Sequence, residues 1–169
     1  MLQPYQPYFQ FALTLTLKQS AKVSTKINDY CDEKFERWVA LSDETLDSTI
    51  RRFYARLTHY LYGNKAKHKN KQHWAKPLLI TVVEGKNSVK RVHLHAVLGN
   101  VPAEFMHCID KIVEQAWAEC DFGYREVLVK PVQCAQGWNN YITKEVGTAN
   151  DDAVCVKHLY VPKFIQQRI

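Results

Sequence analysis

The sequence lacks the features that mark secreted and membrane proteins. No apolar run reaches the roughly 18 residues that a membrane-spanning helix needs. The first residues form neither a basic region nor an apolar block of the signal-peptide type. The five cysteines are odd in number and form no C-x-x-C pair, which argues against a disulfide framework and a structural zinc site. We therefore expect a cytoplasmic protein without membrane association.

Glycine and proline are also scarce, with six residues of each in a chain of 169. This scarcity excludes collagen-like and low-complexity chains, and the content of 46% apolar and 24% charged residues excludes a disordered one. The P-loop motif G-x-x-x-x-G-K-[ST] is absent as well, so any ATP-driven step would come from another protein. The length predicts a single domain, residues 1–169, with a core of its own.

Positive charge is concentrated in one segment of the chain. The sequence carries 23 Lys and Arg against 17 Asp and Glu, a net charge of +6, and residues 64–76 hold five lysines and no acidic residue. Basic residues beside an aromatic one suit a nucleic-acid strand, although a solvated loop can have the same composition. The candidate nucleic-acid contacts in this segment are Lys65, Lys67, Lys69, Lys71 and Trp74.

Hydrophobic periodicity predicts the secondary structure. Residues 9–17 alternate apolar and polar side chains, which indicates a half-buried strand. After Asp43 the apolar residues recur at three and four, which predicts a helix that Asp43 caps and Gly63 ends. Further strands are predicted at 77–84, 89–98, 127–129 and 154–161, and further helices at 25–38, 102–123 and 137–146.

The order of these elements indicates the fold class. Strands and helices alternate, and residues 85–88 read as a turn that joins two strands into a central hairpin. This order favours an α+β fold with a central, largely antiparallel sheet flanked by helices. Trp38 and Trp117 are interpreted as core residues of that fold.

Two histidines lie inside an apolar strand, in the run Val92-His93-Leu94-His95-Ala96-Val97-Leu98. Side chains at positions i and i+2 of a strand point to the same face, so these imidazoles stand about 7 Å apart at their roots and can reach one metal ion. Buried histidines satisfied by hydrogen bonds give the same pattern.

A second motif is Gly137-Trp138-Asn139-Asn140-Tyr141-Ile142-Thr143-Lys144-Glu145. On a helix, Tyr141 and Lys144 project from one face, which places a cation beside a phenol that is a competent nucleophile once ionised. A packing tyrosine with an exposed lysine is the alternative. Trp138 is interpreted as a packing residue or as a stacking platform for an unpaired base.

Together these motifs resemble the HUH endonucleases, in particular the single-tyrosine replication initiators. The resemblance consists of H-x-H in an apolar strand followed by Y-x-x-K on a helix, with Phe11-Ala12-Leu13-Thr14-Leu15-Thr16 in the place of the family's first strand. It implies that Tyr141 is the nucleophile, that His93 and His95 bind Mg²⁺ or Mn²⁺, and that Lys144 positions groups or offsets phosphate charge. Position 145 is Glu, so the two-tyrosine subclass does not fit.

The same resemblance implies an acidic third ligand from the strand before H-x-H. Glu84 is the only acidic residue between positions 77 and 93. A tight turn at 85–88 would pair Glu84 with Val89 and leave it roughly 13 Å from His93 along the strand. A bulge or a wider turn is therefore needed for Glu84 to act, and His73 is the reserve candidate.

The expected function is site-specific nicking and ligation of single-stranded DNA through a 5′-phosphotyrosine bond. By the resemblance, this reaction initiates rolling-circle replication of a plasmid, phage or integrated element, with a separate helicase and polymerase as partners. Two alternatives stay open at this point. One is a single-strand transposase of the same class, and the other is a nucleic-acid-binding module without catalysis.

Overall fold

The computed structural model describes residues 2–28, 31–68, 70–71, 74–85, 91–138 and 154–168, with the backbone alone at 25–28, 31–33 and 154–157. The strands in these ranges are β1 (Phe9–Leu17), β2 (Ser20–Asn28), β3 (Cys31–Ala40), β4 (Leu78–Glu84), β5 (His93–Gly99), β6 (Gly123–Pro131) and β7 (Val154–Tyr160). The α-helices with assigned bounds are α1 (Asp43–Tyr62), α2 (Ile109–Ala118) and α3 (Lys163–Gln166). Short 3₁₀ helices cover Gln3–Tyr8, Gly63–Lys67 and Ala103–Cys108.

Five strands form one antiparallel sheet in the order β6-β1-β5-β4-β7. Helices α1 and α2 cover one face of it, and the odd-numbered residues of β1 from Phe11 to Leu17 are buried against them. The predicted α+β class with an antiparallel sheet flanked by helices is therefore confirmed. Within the described residues, no helix is long and apolar enough to cross a bilayer.

Helix α1 begins one residue earlier than the sequence predicts. The side chain of Ser42, not Asp43, accepts a hydrogen bond from the backbone N–H of Thr45, and Thr45 Oγ1 accepts one in return from the Ser42 N–H at 2.7 Å. Asp43 instead lies in the first turn, where its negative charge is favourable beside the helix N-terminus. Gly63 ends the helix as predicted, with a φ of 53°.

Strands β2 and β3 form a separate two-stranded sheet, so the helix predicted at 25–38 is wrong. The base of this hairpin packs on the core through Ala21, Val23 and Val39. Trp38 pairs with Lys22 on the opposite face and is 72% exposed, so its assignment to the core is also wrong. Side chains alternate along a strand, so Trp38 lies on the face opposite Val39, which packs on the core.

Trp117, in contrast, is fully buried, as predicted. Its ring contacts Phe53 edge to face at 5.3 Å between centroids, and its Nε1–H donates to the carbonyl oxygen of Thr16 at 3.0 Å. One side chain of α2 therefore packs on α1 and is hydrogen-bonded to β1.

The edge strand β7 is joined to α1 by polar and aromatic contacts. Nε2 of the buried His158 lies 2.9 Å from Oδ1 of Asp47. The ring of Tyr160 stacks on Tyr54 at 3.8 Å, and burial raises the pKa of the Tyr54 phenol. These contacts fix the strand that follows the segment containing Tyr141.

Candidate metal centre

The face of the sheet opposite α1 and α2 carries the predicted ligands. Antiparallel pairing sets Glu84 of β4 directly opposite His93 of β5, while His95 pairs with Thr14 of β1 on its other side. The leucine between the two histidines, Leu94, points into the core. Alternation along β5 therefore turns both imidazoles to the same side as Glu84.

The three side chains converge on one point. Oε2 of Glu84 lies 2.8 Å from Nε2 of His95 and 3.4 Å from Nε2 of His93. One ligand atom from each residue lies within 4.8 Å of the others, so the group could hold a metal ion. The side chains are 12–21% exposed, which shields the group from bulk water while leaving it accessible.

Both imidazoles are oriented by the ring nitrogen that faces away from Glu84. Nδ1 of His93 lies 3.0 Å from the carbonyl oxygen of Arg91. Because a carbonyl oxygen can only accept a hydrogen bond, Nδ1 carries the proton and donates. Nδ1 of His95 lies 3.2 Å from Oγ1 of Thr14. Such contacts fix the ring and leave Nε2 as the nitrogen that can bind a metal.

Two imidazoles and one carboxylate form a mixed nitrogen and oxygen donor set. Such sets bind divalent first-row metals, and three protein donors would leave further coordination positions for water. In the described ranges, no second group of three His, Cys, Asp or Glu residues comes together in this way.

The tight turn expected after Glu84 is not formed. Glu84 pairs with His93 rather than with Val89, so the connection spans residues 85–92 and β5 begins at His93. Gly85 has a φ of 92°, and a Cβ at this position would lie 2.8 Å from the carbonyl oxygen of Arg91. A glycine is therefore required where the wider connection closes next to the strand pair. This register removes the geometric objection to Glu84 as a ligand.

The predicted nucleophile, Tyr141, and its companion Lys144 lie outside the described residues. Residues 135–138 form a helical turn where the helix 137–146 was expected to begin. Trp138 packs edge to face on Phe9 at 5.7 Å and borders a cavity of about 510 Å³ together with Ala12 and Lys130. Ala12 lies two residues before Thr14 in β1, so this cavity is next to the metal centre on the same sheet face.

The lysine-rich segment lies at the other end of the sheet. The side chain of Asn100 donates hydrogen bonds to the carbonyls of Trp74 and Lys76, just beyond the terminal pair Leu78 and Gly99. Leu78 and Glu84 are the two ends of β4, six residue steps or roughly 20 Å apart. The structure therefore does not bring the exposed Lys65, Lys67, Lys71 and Trp74 to the metal centre, and Lys69 and the reserve ligand His73 lie outside the described residues.

Sequence reasoning missed the two groups that orient the histidines, Thr14 and the Arg91 carbonyl. Thr14 does lie on the polar side of the alternating pattern in β1. That pattern cannot show that β1 is the neighbour of β5, since Thr14 and His95 are 81 residues apart and pair only in the folded sheet. A backbone carbonyl leaves no signal in the sequence at all.

No protein-family model, curated protein or solved structure matches this chain.

Proposed function

We propose that this chain is a metal-dependent nickase and ligase of single-stranded DNA that starts rolling-circle replication of a plasmid, phage or integrated element. The proposal follows the resemblance to the single-tyrosine HUH initiators. The observation that supports it is the convergence of Glu84, His93 and His95 on one accessible point of an antiparallel sheet. A helicase and a polymerase would act as separate partners.

The donor set is compatible with the metals of the proposal, Mg²⁺ and Mn²⁺. Mg²⁺ prefers oxygen ligands, so two imidazoles favour Mn²⁺, while the carboxylate and water oxygens suit both ions. When bound, such an ion would polarise a phosphodiester and orient it for in-line attack. The protein's own part is to hold three donor atoms on two paired strands, with Thr14 and the Arg91 carbonyl fixing the rings.

Tyr141 is the proposed nucleophile. Its phenol oxygen forms a bond to phosphorus while the bond from phosphorus to the 3′ oxygen breaks, and the phenolic proton ends on the leaving 3′ oxygen. The phosphotyrosine ester resembles the DNA bond in energy, so the 3′ hydroxyl can attack it and rejoin the strand. Lys144 offsets the negative charge of the phosphate.

The position of the helical turn at 135–138 supports this assignment. Trp138 packs beside the cavity that adjoins the metal centre, and Tyr141 follows it by three residues. Lys130 borders the same cavity and adds a positive charge that suits a nucleic-acid strand.

Covalent capture of DNA tests the proposal. We would incubate the protein with a pool of random single-stranded DNA and Mn²⁺, then digest it and map the phosphopeptide. The expected adduct is on Tyr141, and it should be lost in Tyr141→Phe, in His95→Ala and in the presence of EDTA. Tyr5→Phe and His59→Ala, which change residues away from the metal centre, should retain it.

Three outcomes would contradict the proposal: an adduct on another residue, full cleavage in chelator, or no adduct from the folded wild-type protein. A transposase would be recognised by efficient joining of the cleaved end to a second DNA target. Binding of DNA without any covalent product would instead indicate a non-catalytic module.

A further inference from the structure

The arginines on α1 are all paired with carboxylates. Arg52 lies 3.0 Å from Asp121 and Arg56 lies 2.9 Å from Glu119, while Arg51 lies 3.8 Å from Asp47, one turn away on the same helix. Their charges are therefore largely balanced within the protein.

Arg91 and Arg125 differ from these arginines. Both guanidinium groups lie over the ring of Tyr124, at 5.5 Å and 5.9 Å from its centroid. Within the described part of the chain, neither has a carboxylate within ion-pair distance. A cation over an aromatic face keeps its hydrogen-bond donors available to an anion.

This cluster lies at the end of the sheet that carries the metal centre. Arg91 is two residues before His93, and its carbonyl is the group that orients the His93 ring. Gly123, next to Tyr124, pairs with Leu17, whose N–H donates to the carbonyl of Val92. Arg91 is exposed, and its guanidinium reaches the ring of Tyr124 on β6.

We propose that Arg91 and Arg125, held over the ring of Tyr124, bind the substrate strand next to the metal centre. The guanidinium groups bind the phosphate adjacent to the scissile one, and the ring of Tyr124 positions them. Arginine suits this task because its planar donors match two phosphate oxygens. The identity of the substrate as single-stranded DNA rests on the proposed function.

The salt dependence of DNA binding tests the site directly. We would measure the anisotropy of a fluorescein-labelled oligothymidylate in EDTA over a series of salt concentrations, so that no cleavage occurs. Each of Arg91→Ala and Arg125→Ala should reduce the slope of log K against log salt by about 0.7, the value for one phosphate contact on a single strand. Arg91→Gln, which keeps the side-chain stem, is the second variant if Arg91→Ala fails to fold.

Two controls separate this contact from general loss of charge. Arg51→Ala removes a 68% exposed arginine on α1 and should leave the slope unchanged. Arg91→Lys keeps the charge and should retain the slope.

The outcomes distinguish this inference from the proposed function. If the wild-type protein binds the probe with an Arg91-dependent slope but never forms a DNA adduct, the nickase proposal fails and the binding site stands. If Arg91→Ala and Arg125→Ala match Arg51→Ala in slope, the binding site is overturned, even where the wild-type protein cleaves DNA.

Discussion

Each imidazole of the candidate metal centre is oriented by a group that is not one of the three candidate ligands. His93 is oriented by a backbone carbonyl, which no substitution of Arg91 removes, whereas His95 is oriented by the hydroxyl of Thr14. The two rings therefore differ in how they can be perturbed. Only the orientation of His95 is open to a test by side-chain substitution.

We predict that Thr14→Val weakens Mn²⁺ binding by about 10- to 100-fold, because loss of a hydrogen bond to a ligating imidazole typically costs this much. The variant keeps the side-chain volume, so the fold should persist. Titration calorimetry of the purified protein with MnCl₂ measures the change, and His95→Ala sets the upper limit. Thr14→Ser should restore most of the affinity, and equal affinities of Thr14→Val and the wild-type protein would show that the hydroxyl has no orienting role.

At the level of elements, the sequence predicts those whose hydrophobic pattern is supported by packing over their whole length. β1, α1 and α2 each bury one face, and the spacing of their apolar residues predicts them. Among the described side chains of the β2–β3 hairpin, those packed on the core lie at its base, and the sequence of its outer part has no alternation that predicts a strand. The pairing of Glu84 with His93 is not predicted by the sequence, because the residues after Glu84, Gly-Lys-Asn-Ser, are typical of a tight turn. The longer connection that the structure has leaves no such local signal.

Trp117 and Trp38 allow a matched test of the difference between the buried elements and the exposed part of the hairpin. Trp117→Ala should lower the free energy of unfolding by about 3–5 kcal/mol, because it leaves a cavity between α1, α2 and the sheet. Trp38→Ala, at a 72% exposed position, should change it by no more than about 0.5 kcal/mol. Urea denaturation followed by circular dichroism measures both values, and similar losses from both variants would contradict the burial described here.

The stability contributed by Glu119, which joins the end of α2 to the end of α1, should depend on pH. Hydrogen bonds from the Tyr60 hydroxyl and from Gln115 hold the pKa of Glu119 below its ordinary value of 4.5, and Arg56 adds to the effect. Because the pKa is lower in the folded state, the ionised carboxylate stabilises the fold above the unfolded value, and this stabilisation is lost as pH falls through the folded value.

We therefore predict that Glu119→Gln is less stable than the wild-type protein at pH 7 and that the difference shrinks as the pH falls below about 4.5. Thermal unfolding at a series of pH values measures this difference. Glu114→Gln, at an exposed position of α2, controls for the loss of one negative charge. A stability difference that grows towards low pH would contradict a lowered pKa of Glu119 in the folded protein.

At the scale of the whole molecule, the basic segment and the metal centre occupy opposite ends of the sheet. The net charge of +6 is thus not gathered around the candidate site. Arg91 and Arg125 lie next to the metal centre, while Lys65, Lys67 and Lys71 lie beyond the far end of β4. One strand can contact both regions only if it runs the length of the sheet.

We predict that replacing Lys65, Lys67 and Lys71 together with alanine weakens binding of long oligonucleotides and leaves short ones unaffected. Each lost phosphate contact should reduce the salt slope by about 0.7, but only when the probe is long enough to reach the segment. Anisotropy titrations with oligothymidylates of increasing length measure this dependence. A slope that is unchanged at every length would mean that the segment is an ordinary solvated loop.

The length of β4 sets how many nucleotides a bound strand needs to contact both regions. Its roughly 20 Å corresponds to about six nucleotides at the axial spacing of roughly 3.4 Å per stacked nucleotide. The oligonucleotide length at which the lysines begin to contribute would therefore report how far a bound strand extends along the sheet from the candidate metal centre.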